Sequence, residues 1–342
     1  MVLLLLAAVG TAAGVGALYQ WRGTRRDREN VRPPGRLVAL AGRKVHVCDE
    51  GEGRPVVVFE SGLAASSLNW REVQRTVSRF AATLTYDRAG YGWSDRAAGA
   101  ATAEAACAAL RDLLTATRVP LPVVLVGHSF GSYVLQLFAC RHPEDVAAMV
   151  LVDPVTHDDW RNPSARERRM LQGGRLFALV GAALASVGVV RGALSRLAGG
   201  SAASGRAVLR AFGPTAVAVV TRIVGEVGKM PPEVWPGIRA HWSRPGSFLT
   251  LQRYLAGLSE SARQVERALG KSPPWSFPLI VLSAGDNATQ AARHRELASR
   301  STRGTALAID GVGHWVQLDA PAAVVDAIER VVREIRRGSR QE

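Results

Sequence analysis

Short apolar runs set the strongest limit on how this chain can fold. Four of them read P-V-V-V-F-E-S-G at 55–62, P-V-V-L-V-G at 122–127, A-M-V-L-V-D at 148–153 and P-L-I-V-L-S-A at 278–284. Continuous apolar runs of this length are typical of strands that are buried on both faces of a parallel sheet. Because helical patterns separate the runs, the sequence predicts a doubly wound α/β fold.

Weaker strand patterns complete this sheet. A hairpin is predicted where L-V-A-L and K-V-H-V-C-D flank A-G-R, and further strands at 82–87 and 306–310. We therefore expect eight mostly parallel strands flanked by helices, in a core of residues 36–154 and 276–342. Residues 155–275 contain helical patterns without a strand, and Ser164 and Glu167 have capping-box spacing at the start of one of them. This segment is predicted to be a helical cap inserted after strand 6.

The chain begins with an apolar segment. From Val2 to Tyr19 there is no charged residue, and such a helix, at about 1.5 Å per residue, just crosses a bilayer core of about 30 Å. Four arginines follow within the next nine residues, at Arg22, Arg25, Arg26 and Arg28. Positive charge on this side favours a cytoplasmic catalytic domain. We expect a membrane anchor at 1–21 and a charged linker at 22–35; the alternative is a cleaved signal segment on a secreted protein.

The composition narrows the class of partner and cofactor. The formal charge is +14, but the arginines are scattered and show no aromatic-interleaved basic stripe, so we expect no nucleic-acid partner. The three cysteines lack metal-ligand spacing, and no glycine-rich phosphate loop occurs. Neither a metal nor a cofactor is expected, and the sequence does not indicate an oligomeric state.

One pentapeptide points to nucleophilic chemistry. Gly127-His128-Ser129-Phe130-Gly131 has the form G-x-S-x-G and lies between a predicted strand and a predicted helix. In that setting the motif is a nucleophile elbow, in which a tight turn exposes the serine hydroxyl and the next N–H can face an oxyanion. Ser129 is the candidate nucleophile, the Phe130 N–H a candidate oxyanion-hole donor, and His128 is expected to pack.

A serine nucleophile needs a base, and His314 is the best placed histidine. It stands in G-V-G-H-W, after the last predicted strand and before the last predicted helix. Neighbouring glycines allow that loop to bring the imidazole over the sheet.

These residues, together with Y-D-R-A-G-Y-G-W-S-D at 86–95, resemble the α/β-hydrolase fold superfamily over about 36–154 and 276–336. The resemblance implies the chain order nucleophile, acid, histidine. It also implies a second oxyanion donor after the third strand, where E-S-G-L at 60–63 offers the Leu63 N–H. Asp87 and Arg88 are expected to pair and cap structurally rather than to react.

The resemblance leaves the acid open between two strands. Most relatives place it after strand 7, where this chain has Gly285-Asp286-Asn287-Ala288 and Asp286 stands two places early. A smaller group takes it from the end of strand 6, which here is Asp153. We favour Asp153, keep Asp286 as the alternative acid, and note Asp158 and Asp159 on the same loop.

The expected function is that of a serine hydrolase that cleaves apolar carboxylic esters, lipids included, through an acyl-enzyme. Thioesterase, C–C bond hydrolase, peptidase and cofactor-free haloperoxidase chemistry use the same residue set and stay open. Dehalogenases and epoxide hydrolases of this superfamily use an aspartate nucleophile, which Ser129 replaces. A non-catalytic, membrane-tethered binding protein is the alternative from another class.

Overall fold

The computed structural model describes residues 1–198, 225–285 and 287–338. The chain divides into two compact units. The core unit comprises residues 34–169 and 253–342, and the cap unit comprises residues 1–33 and 170–252.

The core unit is built on a sheet of eight strands. In chain order they are β1 (Arg36–Leu40), β2 (Arg43–Glu50), β3 (Val57–Glu60), β4 (Thr83–Tyr86), β5 (Val123–His128), β6 (Val146–Val152), β7 (Leu279–Ala284) and β8 (Gly304–Ile309). Their spatial order is β1-β2-β4-β3-β5-β6-β7-β8. The first two strands pair antiparallel with their neighbours and all later pairs are parallel, which confirms the predicted fold class.

Within the described residues, α-helices lie before, between and after these strands. They are α1 (Val2–Asn30), α2 (Arg71–Val77), α3 (Ala103–Ala116), α4 (Gly131–Arg141), α5 (His157–Trp160), α6 (Ala165–Ser186), α7 (Val189–Ala198), α8 (Trp235–Trp242), α9 (Pro245–Ala256), α10 (Leu258–Leu269), α11 (Ala288–Ala298), α12 (Val316–Asp319) and α13 (Pro321–Gly338).

The two faces of the sheet are covered by different helices. On one face, alternate residues of the central strands pack against apolar residues of α2 and α13. On the other face α4 lies against β3 and β5 and is itself flanked by α3 and α10. Because β5 is buried along its whole length, the site at its carboxyl end rests on a rigid base.

The cap boundaries differ from the prediction. The described residues of 155–275 contain helices and no strand between 155 and 198 or between 225 and 274, yet residues 155–169 and 253–275 belong to the core unit. The reason lies in α10, which packs on α3 and α4, and whose Ser261 hydroxyl accepts a hydrogen bond from the Ala103 N–H at 3.0 Å. The predicted capping box is present: the Ser164 N–H donates to Glu167 Oε2 at 2.6 Å.

Helix α1 also differs from the prediction, because it continues to Asn30 through most of the segment that we expected to be a linker. Arginine is a good helix former, and Arg25 pairs with Glu29 one turn later at 3.2 Å. Irregular backbone begins only at Val31, and β1 begins at Arg36, where the folded core was expected to start.

Candidate active site

Ser129 stands on a strained turn at the carboxyl end of β5. Its φ is +51°, a left-handed conformation that costs a non-glycine residue about 1–3 kcal/mol. The turn has no room for side chains on either side. A Cβ on Gly127 would lie 2.6 Å from Leu135 Cδ1, and one on Gly131 would lie 2.7 Å from the Glu60 carbonyl oxygen. The glycines of the motif are therefore required by packing.

His314 lies beside Ser129 at the carboxyl ends of the parallel strands. Its Nε2 lies 2.9 Å from Ser129 Oγ, within the range in which an imidazole accepts a hydroxyl proton. The loop that carries it follows β8, turns at Gly311 with φ +70°, and is tied down by the Gly313 N–H donating to Asp319 at 2.7 Å. A nucleophile and its general base require such a distance, so the geometry is compatible with the roles expected for Ser129 and His314.

Asp153 holds the other ring nitrogen of His314. The Nδ1–H donates to Asp153 Oδ2 at 2.5 Å, which fixes the tautomer that leaves Nε2 free to accept a proton. Oδ1 of Asp153 accepts from the Ala284 N–H at 3.0 Å and from Gln290 Nε2 at 2.9 Å. Burial alone would raise the pKa of this carboxyl, but the hydrogen bond and charge of His314 together with the Ala284 N–H lower it below its usual value.

The other candidate acids are placed differently. Asp159 caps α5 through Thr156 and pairs with Arg293, while Asp158 pairs with Arg161 at 3.0 Å. Asp286 lies outside the described residues. Among the described candidates, Asp153 is the carboxylate that contacts His314.

The two expected oxyanion donors lie on loops that meet beside Ser129. Phe130 directly precedes α4 and follows the nucleophile, and Leu63 follows β3. Within the described residues neither N–H donates to a protein acceptor. Two such free N–H groups are what a developing oxyanion requires.

Arg88 supports the Leu63 loop from below, a role that the sequence did not indicate. Its guanidinium donates to Glu60 and to the carbonyl oxygens of Ser61 and Gly62, and it lies 5.3 Å from the ring centre of Phe130. Arg88 thereby contacts both segments that carry the expected oxyanion donors. Asp87, expected to pair with it, instead pairs with His46 at 2.8 Å. The only sequence signal for this arrangement is the charged dipeptide Asp87-Arg88 directly after an uncharged strand.

Replacing Arg88 with Met is expected to lower the free energy of unfolding by about 3–5 kcal/mol above pH 7, where the buried Glu60 would be an uncompensated charge. Burial raises the pKa of Glu60 to about 7 even beside Arg88, so the loss should be smaller at lower pH, where the carboxyl is protonated. Both side chains are at most 3% exposed. Urea denaturation of the full chain measures this loss. Adding Glu60→Gln to Arg88→Met should restore part of it; a double variant less stable than Arg88→Met would contradict the pairing.

His128 packs behind the candidate base. Its Nε2–H donates to the His314 carbonyl oxygen at 2.8 Å, and its ring centre lies 4.7 Å from that of His314 and 5.3 Å from that of Trp315. Burial and the neighbouring charge of His314 lower the pKa of His128 to about 3. The ring is therefore neutral and structural at ordinary pH, as its place in the motif indicated.

This pKa predicts a pH-dependent stability. The folded-state value is depressed, so below about pH 6.5 the unfolded chain binds a proton that the folded chain does not, and stability falls with falling pH. The group contributes up to about 1.4 kcal/mol per pH unit between its unfolded and folded values. Urea denaturation between pH 8 and pH 4 should show a shallower acid loss for His128→Gln, which keeps a donor for His314; parallel curves would contradict it.

Comparisons with known proteins agree with this architecture. The family model described as the alpha/beta hydrolase family matches residues 57–327. A haloalkane dehalogenase of Sphingobium indicum is 24% identical over 88% of this chain and 96% of its own length. The uncharacterized protein YqjL of Bacillus subtilis is 35% identical over 32% of this chain, and the match spans only 43% of YqjL. The solved structure of a thermophilic esterase from Thermogutta terrifontis covers 88% of this chain and 98% of its own, with a TM-score of 0.59 and 19% identity.

Proposed function

The chain belongs to the alpha/beta hydrolase family, and from this premise we propose that it is a serine hydrolase that cleaves carboxylic esters through an acyl-enzyme. The observation that carries the proposal is the continuous hydrogen-bonded line from Ser129 Oγ through His314 to the Asp153 carboxylate, at 2.9 Å and 2.5 Å. A serine held on a strained turn beside an imidazole within hydrogen-bond reach is suited to acyl transfer.

The proposed reaction has two balanced halves. Ser129 Oγ bonds to the ester carbonyl carbon while its proton passes to His314 Nε2, and the carbonyl electron pair moves to the oxygen between the Leu63 and Phe130 N–H groups. Each such donor contributes about 2.7–4 kcal/mol. The intermediate then expels the alcohol, which takes the proton from His314. Water, deprotonated by His314, attacks the acyl-enzyme, and the acid leaves as the proton returns to Ser129.

The dehalogenase-like relative defines the competing chemistry. Carbon–halogen cleavage in this superfamily uses a carboxylate nucleophile, whereas position 129 is a serine. A serine alkyl ether formed from a haloalkane would not be hydrolysed as an ester is, so the elbow residue favours acyl substrates over haloalkanes.

We also propose that α1 anchors the protein in a membrane. It is long and apolar enough to cross a bilayer. Many of its apolar side chains between Met1 and Tyr19 are exposed. The arginines that follow the apolar segment favour a cytoplasmic catalytic domain. An apolar ester or lipid substrate is consistent with that location. Carbonate extraction of cell membranes tests the anchor: α1 should hold the intact chain in the pellet, and a soluble, shortened chain would indicate a cleaved signal segment.

A panel of p-nitrophenyl esters of increasing acyl length tests the activity, with halide release from a short brominated alkane measured in parallel. We expect ester turnover with an acyl-length optimum and no halide release. Halide release without ester turnover would overturn the proposal, and so would the absence of both in folded protein.

A further inference from the structure

Helix α1 has one face that differs from the rest. Among the α1 residues whose side chains the structure describes, which excludes Leu6, all are exposed except five. These five are Gly16, Gln20, Gly23, Thr24 and Asp27. The spacing of four, three and four residues places Gly16, Gln20, Gly23 and Asp27 on one stripe. This stripe, the docking face, lies in the second half of the helix, after most of the apolar segment.

The docking face contacts the turn between α6 and α7 and the start of α7. A Cβ on Gly16 would overlap the Val187 carbonyl oxygen, and one on Gly23 would overlap the Arg191 side chain. In return, a Cβ on Gly188 would lie 2.7 Å from the Tyr19 ring. Glycines on both sides therefore allow the backbones to approach closely, as small residues do where helices pack.

Polar contacts lock the same face. The buried Arg191 guanidinium lies 2.7 Å from Asp27 Oδ2 as an ion pair, with both side chains 6% exposed. Arg191 Nε donates to Gln20 Oε1 at 3.0 Å, and Gln20 Nε2 donates to the Ser243 carbonyl oxygen at 2.8 Å. A buried charge pair with these hydrogen bonds holds one arrangement, because losing either partner leaves the other charge unpaired.

We propose that α1 is a rigid stem that holds the cap unit at the bilayer surface: its apolar half crosses the membrane, and its docking face clamps the turn at 187–188 and Arg191. The membrane part of this inference rests on the anchor proposed above, and the clamp does not. Gly16 lies five residues before Trp21, the last residue of the uncharged segment, about 7.5 Å along a helix. The turn at 187–188 is therefore placed at the membrane interface.

The chain offers two matched pairs of variants. Gly16→Ala adds a methyl group against the Val187 carbonyl, whereas Gly14→Ala adds the same group with nothing within 4 Å. Asp27→Asn removes the buried charge, whereas Glu29→Gln removes one from the exposed pair with Arg25. Within each pair the change in helix propensity or charge is the same. A difference between the two variants in the measured property therefore reports the docking contact.

Docking of α1 should protect the Arg22–Gly23 bond from trypsin, so the rate of its cleavage measures the clamp. The rate is measured for full-length protein in phosphatidylcholine–phosphatidylglycerol vesicles and is divided by the rate for the same protein in urea. Asp27 and Glu29 are far enough from this bond not to alter its recognition. We expect Gly16→Ala and Asp27→Asn to be cut at least about tenfold faster than the parent, since each disrupts a buried contact. Gly14→Ala and Glu29→Gln should stay within about twofold of the parent, the range expected for exposed sites.

A variant that fails to fold is recognised by its circular dichroism and replaced by Arg191→Met. Equal rates within both matched pairs, or a parent cut as fast as in urea, would overturn the clamp. Carbonate extraction distinguishes the two parts, because a clamped chain that is nevertheless soluble removes only the membrane role.

The position of the cap is measured with a thiol-reactive bimane label after the substitution Ser186→Cys at an exposed position of α6, in a chain that also carries Cys140→Ala. We expect quenching by a phosphatidylcholine with a shallow nitroxide, and loss of that quenching in Gly16→Ala but not in Gly14→Ala. A label that shallow nitroxides do not quench in membrane-bound parent protein would overturn the placement of the cap.

Discussion

Ser129→Ala is expected to lower kcat/KM for ester hydrolysis by about 10⁴-fold or more, since removing the nucleophile of such a set removes the covalent route entirely. The loss should appear in kcat, because the oxyanion donors and the binding surface remain. Stopped assays on purified full-length protein measure it, with unfolding in urea as the check that the variant is folded.

A neighbouring serine serves as the matched control. Ser132 lies three residues later at the start of α4, is fully buried, and its hydroxyl donates to the Ser129 carbonyl oxygen at 2.7 Å. Ser132→Ala removes the same atom without touching His314, so it should retain activity within about tenfold, at the cost of one hydrogen bond. Comparable losses in both variants would mean that the turn, and not the Ser129 hydroxyl, carries the activity.

Asp153→Asn is expected to lower kcat by about 10³–10⁴-fold. The reason is the tautomer: an amide N–H facing His314 Nδ1 favours protonation at Nε2, which then cannot accept the serine proton. Asparagine keeps an oxygen at the position that accepts the hydrogen bonds from the Ala284 N–H and from Gln290, so the substitution leaves those contacts in place. The pH–rate profile of the residual activity and its kcat are the measurements.

Two other substitutions make this result specific. Asp159→Asn removes a carboxylate from the neighbouring loop, where it caps α5, and should cost stability more than turnover. Asp286→Asn tests the alternative acid and should leave kcat within about tenfold. Loss of turnover only in Asp286→Asn would reassign the acid.

Much of the fold followed from the sequence because its strands are encoded locally. The apolar runs at 122–127 and 148–153 became β5 and β6, since strands buried on both faces carry no competing pattern. The elbow was predictable for a similar reason: Gly127 and Gly131 are demanded by contacts within a few residues of Ser129 and by the neighbouring β3.

The features that the sequence left open depend on contacts between distant segments. In the sequence, Asp153 and Asp286 each follow a predicted strand, and no spacing rule chooses between them. The structure places Asp153 against His314 Nδ1, whereas Asp286 lies outside the described residues. Arg88 supports the Leu63 loop through two carbonyl oxygens, a contact that no spacing rule marks.

The second half of α1 was misjudged for a different reason. Its arginines are typical of a solvated linker, and their density obscured the stripe of Gly16, Gln20, Gly23 and Asp27. A small or polar residue at every third or fourth position is a recognisable signal for helix docking, and the buried Arg191 supplies the partner for Asp27.

The most direct test of the central claim is to locate the site of covalent modification by a fluorophosphonate probe. After labelling, trypsin should release the peptide 119–141 with one adduct, and fragmentation should place that adduct on Ser129 rather than Ser132. Labelling should disappear in Ser129→Ala and persist in Ser132→Ala. Folded protein that takes no label, or that carries it outside this peptide, would contradict a serine hydrolase built on Ser129.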